Sequence, residues 1–171
     1  MPVDSHEASI YQLIKKTIEF PNHNHAIILK PSTAVPAREI VDALDMKTSP
    51  KGIVLFFGGA ESSLDTSMAT RLMDIVNNVV QFATEADLMI VDGGTKSGIM
   101  QIIGESVAAS KRKPILVGVA PAGKVTYPGM PNNENISDAV QLEPNHSHFI
   151  LVEGNQWGDE TETLFEVVKA F

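Results

Sequence analysis

Five short runs of branched apolar residues recur along this chain, each closed by a turn residue, and most lead into a stretch with helical periodicity. They are Ala26–Leu29, Gly52–Phe57, Leu88–Val91, Pro114–Ala120 and Phe149–Val152. Ile, Val and Leu dominate them, and most do not alternate with polar residues. A strand with one wet face alternates, so unbroken runs of this length belong to strands covered on both faces, as in a parallel sheet between helices. The intervening segments supply the helices. Pro36 stands at a first-turn position ahead of Ile40, Val41 and Leu44 on one stripe. Asp65–Ala86 sets Met68, Leu72, Ile75, Val76, Val79 and Phe82 at spacings of three and four, and the methionines read as helix core residues. Ile99–Ser110 and Glu160–Ala170 complete the set. Strand–helix–strand repetition with right-handed crossovers predicts an α/β fold, doubly wound, with a mainly parallel sheet of about five or more strands and helices on both faces. Ile10–Ile18 also has helical spacing, so residues 1–25 read as a partly helical extension of one domain spanning 1–171. Tyr127–Gln141, rich in Pro, Gly and Asn, is the one long irregular segment, a length that inside a compact domain is usually functional or mobile.

The 171 residues, 43% apolar and 20% charged, suffice for one core and should bury roughly 70% of the unfolded surface. A net charge of −8 and a pI near 5.0 oppose a general nucleic-acid binder and a polybasic membrane-surface protein. With no cysteine, disulfide frameworks, thiolate zinc sites, iron–sulfur clusters and cysteine nucleophiles are excluded, which fits a reducing cytoplasm. Asp4, Glu7, Glu19 and Lys15-Lys16 leave no room for a signal-peptide core. The longest apolar stretches fall far short of the ~20 residues that span a bilayer. A soluble cytoplasmic protein is the expectation.

In an open α/β sheet, ligands sit outside the carboxyl ends of the strands, so the residues after each run are the first candidates. The second run ends in Gly58-Gly59-Ala60-Glu61-Ser62-Ser63. The third ends in Asp92-Gly93-Gly94-Thr95-Lys96-Ser97-Gly98 and passes straight into a helical pattern. Glycines permit close backbone approach, Thr95 and Ser97 offer hydroxyls, Lys96 a positive charge, and a helix start favours an anion. The last run ends in Glu153-Gly154-Asn155-Gln156-Trp157-Gly158-Asp159-Glu160, where Trp157 is placed to stack on a base or cover a pocket. Each loop alone also reads as a plain turn. Three at one sheet edge favour a phosphate-bearing ligand.

Gly118–Val125 nearly spells a Walker A loop, but Val125 occupies the position of the Mg²⁺-binding hydroxyl and Tyr127-Pro128-Gly129 cannot open a helix. Gly93–Gly98 is not the dinucleotide fingerprint either. His23/His25 and His146/His148 are imidazole pairs, yet no spacing closes a metal site around them, so no metal is expected. His23 and His25 read as solvent-facing.

Several motifs, in order, resemble one family: Phe56-Phe57-Gly58-Gly59-Ala60, Val91-Asp92-Gly93-Gly94-Thr95-Lys96-Ser97-Gly98-Ile99-Met100, Leu116-Val117-Gly118-Val119-Ala120-Pro121, Leu142-Glu143-Pro144-Asn145-His146-Ser147-His148-Phe149 and Trp157-Gly158-Asp159-Glu160. From about Ala26 onward the chain is similar to the prokaryotic LSDAT group of the SLOG superfamily, relatives of the cytosolic N-terminal domain of melastatin-type transient receptor potential channels and, more distantly, of the "lonely guy" and DprA-type proteins. The resemblance implies a Rossmann-like fold and a pocket for a nucleotide derivative such as ADP-ribose or NAD. It places Gly58, Gly59 and Ala60 at one wall and Gly93, Gly94, Thr95 and Gly98 around the phosphate. Asn145, His146, Trp157, Gly158 and Glu160 would close the other side. It also implies a homodimer.

The "lonely guy" phosphoribohydrolases carry P-G-G-x-G-T-x-x-E; here Asp92 replaces the proline and Met100 the glutamate, and methionine transfers no proton. Binding without chemistry is therefore the leading expectation: a sensing domain that needs no further cofactor. The alternatives are a nucleotide N-glycosidase using Glu61 or Glu160, with Glu153 and Asp92 as further carboxylates, and an interaction domain with a vestigial pocket. Asp92 reads more simply as a cap on the turn that follows it.

Overall fold

A computed structural model describes residues 12–58, 66–130 and 138–171, residues 66 and 67 by backbone alone. The strands are β1 (Leu13–Glu19), β2 (His25–Pro31), β3 (Ile53–Leu55), β4 (Met89–Asp92), β5 (Leu116–Pro121), β6 (Val125–Thr126), β7 (Val140–Gln141) and β8 (His148–Val152). The helices are α1 (Ala37–Ala43), α2 (Thr66–Glu85), α3 (Gly98–Ala109) and α4 (Thr161–Ala170). Six strands form one sheet in the order β1-β2-β8-β5-β4-β3, parallel from β2 to β3 with β1 antiparallel at the edge. This is the doubly wound Rossmann-like fold. Each apolar run became a strand, and the three central ones are covered on both faces: β4, β5 and β8 have no exposed residue.

Alternate side chains divide between two layers. Met89, Val91, Val117, Val119, Ile150 and Val152 join Ile40, Val41, Leu164 and Val167 of α1 and α4. Ile90 and Leu116 join Val76, Val80, Ile103 and Val107 of α2 and α3. On that same face Phe149 and Leu151 are covered by Phe20, Val125 and Leu142. The connection leaving β5 thus stays with α2 and α3, while α4 carries the chain from β8 to the opposite face. That divergence opens a crevice above neighbouring strand ends, where α/β folds bind ligands.

Two expectations are corrected. The helical spacing around Ile10–Ile18 gives way to a strand: Leu13–Glu19 pairs along its length with His25–Pro31 through a tight turn. Phe20 and Asn24 close that turn and His23 takes a left-handed φ of 63°. As an edge strand it keeps one buried residue, Ile18, so its sequence carries no alternation to read. In α2 the buried stripe is Val76, Val80 and Ala83, whereas Met68, Met73, Ile75 and Phe82 are exposed. The helix is apolar over more than one face, and the sheet takes only the middle. The centre of the Tyr127–Gln141 segment, 131–137, lies outside the described residues; its end returns to pair β7 with β6. No helix among the described residues is long and apolar enough to cross a membrane.

Candidate functional site

The loop after β4 is fixed by close packing of backbone on backbone. Gly94 has φ +67°, and a Cβ there would lie 2.8 Å from the Gly118 Cα and 3.1 Å from the Phe149 ring. The chain crosses over β5 at this point and pairs with the segment before β8: Glu143 N–H donates to the Gly94 carbonyl (2.9 Å), and Lys96 N–H to that of Gln141 (2.7 Å). Thr95 is thereby buried in an antiparallel bridge to Leu142, its hydroxyl 3.0 Å from that of Ser97. Ser97 is the N-cap of α3 with extended backbone and no side-chain cap bond, and Gly98 opens the helix at φ 53°. The first N–H groups of any helix lack an internal acceptor, which makes this end receptive to an anion.

Beneath the loop lies a buried chain of three ionisable groups. Asp92 Oδ1 accepts from the Gly94 N–H (2.6 Å) and lies 2.8 Å from His146 Nε2. His146 Nδ1 is 2.8 Å from Glu143 Oε2, and the ring stacks on Phe149 with centroids 5.2 Å apart. Glu143 also accepts from the Asn145 N–H and side-chain amide. Burial alone would lower the His146 pKa; the charges and hydrogen bonds of Asp92 and Glu143 outweigh it and hold the ring up at about 9. The imidazolium therefore donates from both nitrogens, tying the β4 loop to the segment before β8. The turn cap expected of Asp92 is present. Gly104 makes room for the network, since a Cβ there would lie 2.1 Å from the Glu143 carboxylate.

A cavity of about 340 Å³ opens at the carboxyl edge of the sheet. Gly58 follows β3, Gly93 and Thr95 follow β4, and Trp157 and Glu160 come from the loop between β8 and α4; all five face it. So do Phe56, Phe57, Met100, Val119, Thr161 and Leu164, which the sequence did not single out as site residues. Phe56 and Phe57 were readable in retrospect, as aromatics at the strand end just before the glycine. The Trp157 loop is shaped by its own carboxylates. Asp159 Oδ2 accepts from the Asn155 and Gln156 N–H groups, and Glu160 Oε2 from that of Gly158, whose φ is 106°. Trp157 is left 49% exposed beside the cavity.

The remaining candidates lie elsewhere. Gly94, Gly98 and Ser97 shape the loop without lining the cavity, and Lys96 points into a separate hollow with Phe20, Tyr127 and Leu142. Asn145 bonds Glu143 and Asn22, and His146 is fully buried with both nitrogens engaged. Glu153 borders a different groove with Thr33 and Glu166. Gly59, Ala60 and Glu61 lie outside the described residues. His23 and His25 are exposed beside Glu19, while His148 is lowered in pKa by burial and contacts the Ser147 hydroxyl (2.8 Å). The Gly118–Val125 segment is strand and a 3₁₀ turn (Ala122–Lys124), not a phosphate loop ahead of a helix. Among the described residues no His, Asp and Glu converge as a metal would need: Asp92, His146 and Glu143 run in line through the ring.

A parallel sheet between two helical layers, with a glycine-lined cavity over its carboxyl edge, defines a Rossmann-like domain. The chain belongs to the LSDAT_prok family, described as SLOG in TRPM, prokaryote, whose model matches residues 52–171. Membership makes it a nucleotide-related domain. β1, β2 and α1 precede the matched region. No curated protein matches the chain.

Proposed function

We propose that the cavity at the carboxyl edge binds a nucleotide derivative of the ADP-ribose or NAD type, and that the domain senses this ligand without cleaving it. The observation that carries the reading is the composition of the wall, which combines the glycine loop, through Gly93 and Thr95, with the aromatic rings of Phe57 and Trp157 around about 340 Å³. That volume falls at the low end of small-molecule sites, enough to enclose one end of such a ligand. The first turns of α3 and α4 both border it, through Met100 and Thr161, so two helix starts offer positive partial charge to a phosphate. The aromatic side suits a base. Among the described residues of the wall Glu160 is the one ionisable group, and a peptide N–H already occupies its Oε2. General acid–base cleavage of a glycosidic bond asks for more than this.

Thermal unfolding with ADP-ribose, cyclic ADP-ribose, NAD and AMP, followed by chromatography of each sample, tests the proposal. A ligand at 100 times its dissociation constant adds about 2.7 kcal/mol, or roughly 5–11 °C in a domain of this size. A rise with the nucleotide recovered intact is the expected result. A released base that disappears in Glu160→Gln makes the protein a hydrolase instead, and no shift with any nucleotide removes the proposal.

A further inference from the structure

We infer that the rings of Phe57 and Phe165, on the rim of the cavity, hold a second planar ring of the ligand. The preferred ligand is then a dinucleotide of the NAD type, with ADP-ribose, which lacks the second base, bound less tightly. This rests on the nucleotide reading and narrows it. Cavity and ligand differ in size: about 340 Å³ encloses one end of such a molecule, and the other end lies outside it. Phe57 stands where inside and outside meet. It lines the cavity, is nevertheless 60% exposed, and packs on Phe165 of α4 with ring centroids 5.6 Å apart and planes tilted by 34°. Phe165 is itself 42% exposed and is not part of the cavity wall. Two aromatic faces thus continue the wall outward into solvent.

The sides of α4 show what Phe165 is free to do. The helix gives Leu164 and Val167 to the core. Glu162 and Glu166 border the separate groove with Thr33, and Lys169 is paired with Glu166. Thr161 lines the cavity, and Phe165 follows it by four residues, the spacing that stacks two side chains on one helix face. A phosphate at the start of α4, beside Thr161, therefore has the Phe165 ring one turn away, about 5.4 Å along the axis. In a dinucleotide a ribose spans the gap from phosphate to base. Planar heterocycles stack on such rings through their π-faces, whatever hydrogen bonds their edges make, and gain on the order of tenfold in affinity or more for each ring engaged.

Titration of the full chain with NAD, ADP-ribose and AMP, followed through Trp157 fluorescence, is the test. The wild type should bind NAD on the order of tenfold more tightly than ADP-ribose. Phe165→Ala, an exposed change to the strongest helix former, should fold normally and lose that preference, while ADP-ribose and AMP stay within about twofold of wild type. Phe165→Tyr keeps a ring and should keep the preference. NAD bound no more tightly than ADP-ribose by the wild type overturns the inference and leaves the nucleotide reading standing. So does a preference that survives Phe165→Ala or disappears in Phe165→Tyr. Equal weakening of all three ligands in Phe165→Ala makes the residue a support for Phe57 and overturns the inference as well. Binding of none of the three to the wild type removes the nucleotide reading and this inference together.

Discussion

Gly93 and Gly94 are neighbours in sequence and opposites in role. At Gly94 a methyl would press on Gly118 and Phe149 from a left-handed backbone. Gly94→Ala should cost about 2–4 kcal/mol, overpacking and φ strain together, seen as a lower melting temperature in calorimetry. At Gly93 the nearest side-chain atoms to an added Cβ are those of Met100, at 3.8 Å. Gly93→Ala should leave the melting temperature within about 2 °C while its methyl narrows the cavity and weakens nucleotide binding. A change at Gly94 reports on the fold whatever the cavity does. His146 carries a second residue-level prediction. Its proton is bound up to about pH 9 in the native state but leaves the unfolded chain near the ordinary 6.5. Between those values the native state holds more protons, so the stabilisation is whole below 6.5 and is lost as pH rises to about 9, on the order of 3 kcal/mol. Urea midpoints should fall from about pH 6 to about pH 9, and His146→Gln should flatten that slope. Asp92 and His146 were each visible as candidates, but their meeting was not. They are 54 positions apart, and only the parallel register that brings β4, β5 and β8 level joins them.

At the scale of elements, legibility followed burial. β4, β5 and β8 are covered on both faces, so their sequences had to be unbroken apolar runs, and their ends were readable to within a residue or two. β1 is an edge, held by hairpin hydrogen bonds that any side chain supports, and Lys15, Lys16 and Thr17 between its apolar ends mimic helical spacing. α2 was readable as a helix but not as to which stripe the sheet would take, because two candidate stripes overlap on it. Helical periodicity fixes an angle around the axis, not the partner at that angle. Paired substitutions separate the two. Val80→Asp places a charge in a fully enclosed position and should abolish cooperative unfolding, whereas Ile75→Ser should change monomer stability by no more than about 0.5 kcal/mol in urea titration. The cavity was half legible for the same reason. Glycines after strands announced its backbone wall, while Val119 and Leu164, ordinary core residues by sequence, joined its lining where the core cluster shared by the sheet and α4 meets the cavity.

The whole molecule bears a net charge of −8, yet its proposed ligand is an anion. Proteins that hold phosphate with lysines and arginines gain affinity from a positive field and lose it as salt screens that field. Here the one cation of the glycine loop, Lys96, faces the hollow beside Tyr127, and no Lys, Arg or His lines the cavity among the described residues. The donors on offer are neutral: the Thr95 and Thr161 hydroxyls and the peptide groups at the starts of α3 and α4. Such groups act at contact distance and are indifferent to screening, while the molecule's overall field repels the ligand at long range. Raising salt from about 10 mM to about 0.1 M shortens the Debye length from about 30 Å to about 10 Å, so it should leave nucleotide affinity unchanged or improve it. Lys96→Ala should likewise leave affinity within about twofold, a difference near 0.4 kcal/mol. Trp157, the only tryptophan in the chain and a wall of the cavity, reports both through its fluorescence on titration. A dissociation constant that rises steeply with salt, or with loss of Lys96, would place the phosphate in the Tyr127 hollow instead, on the other side of the same loop.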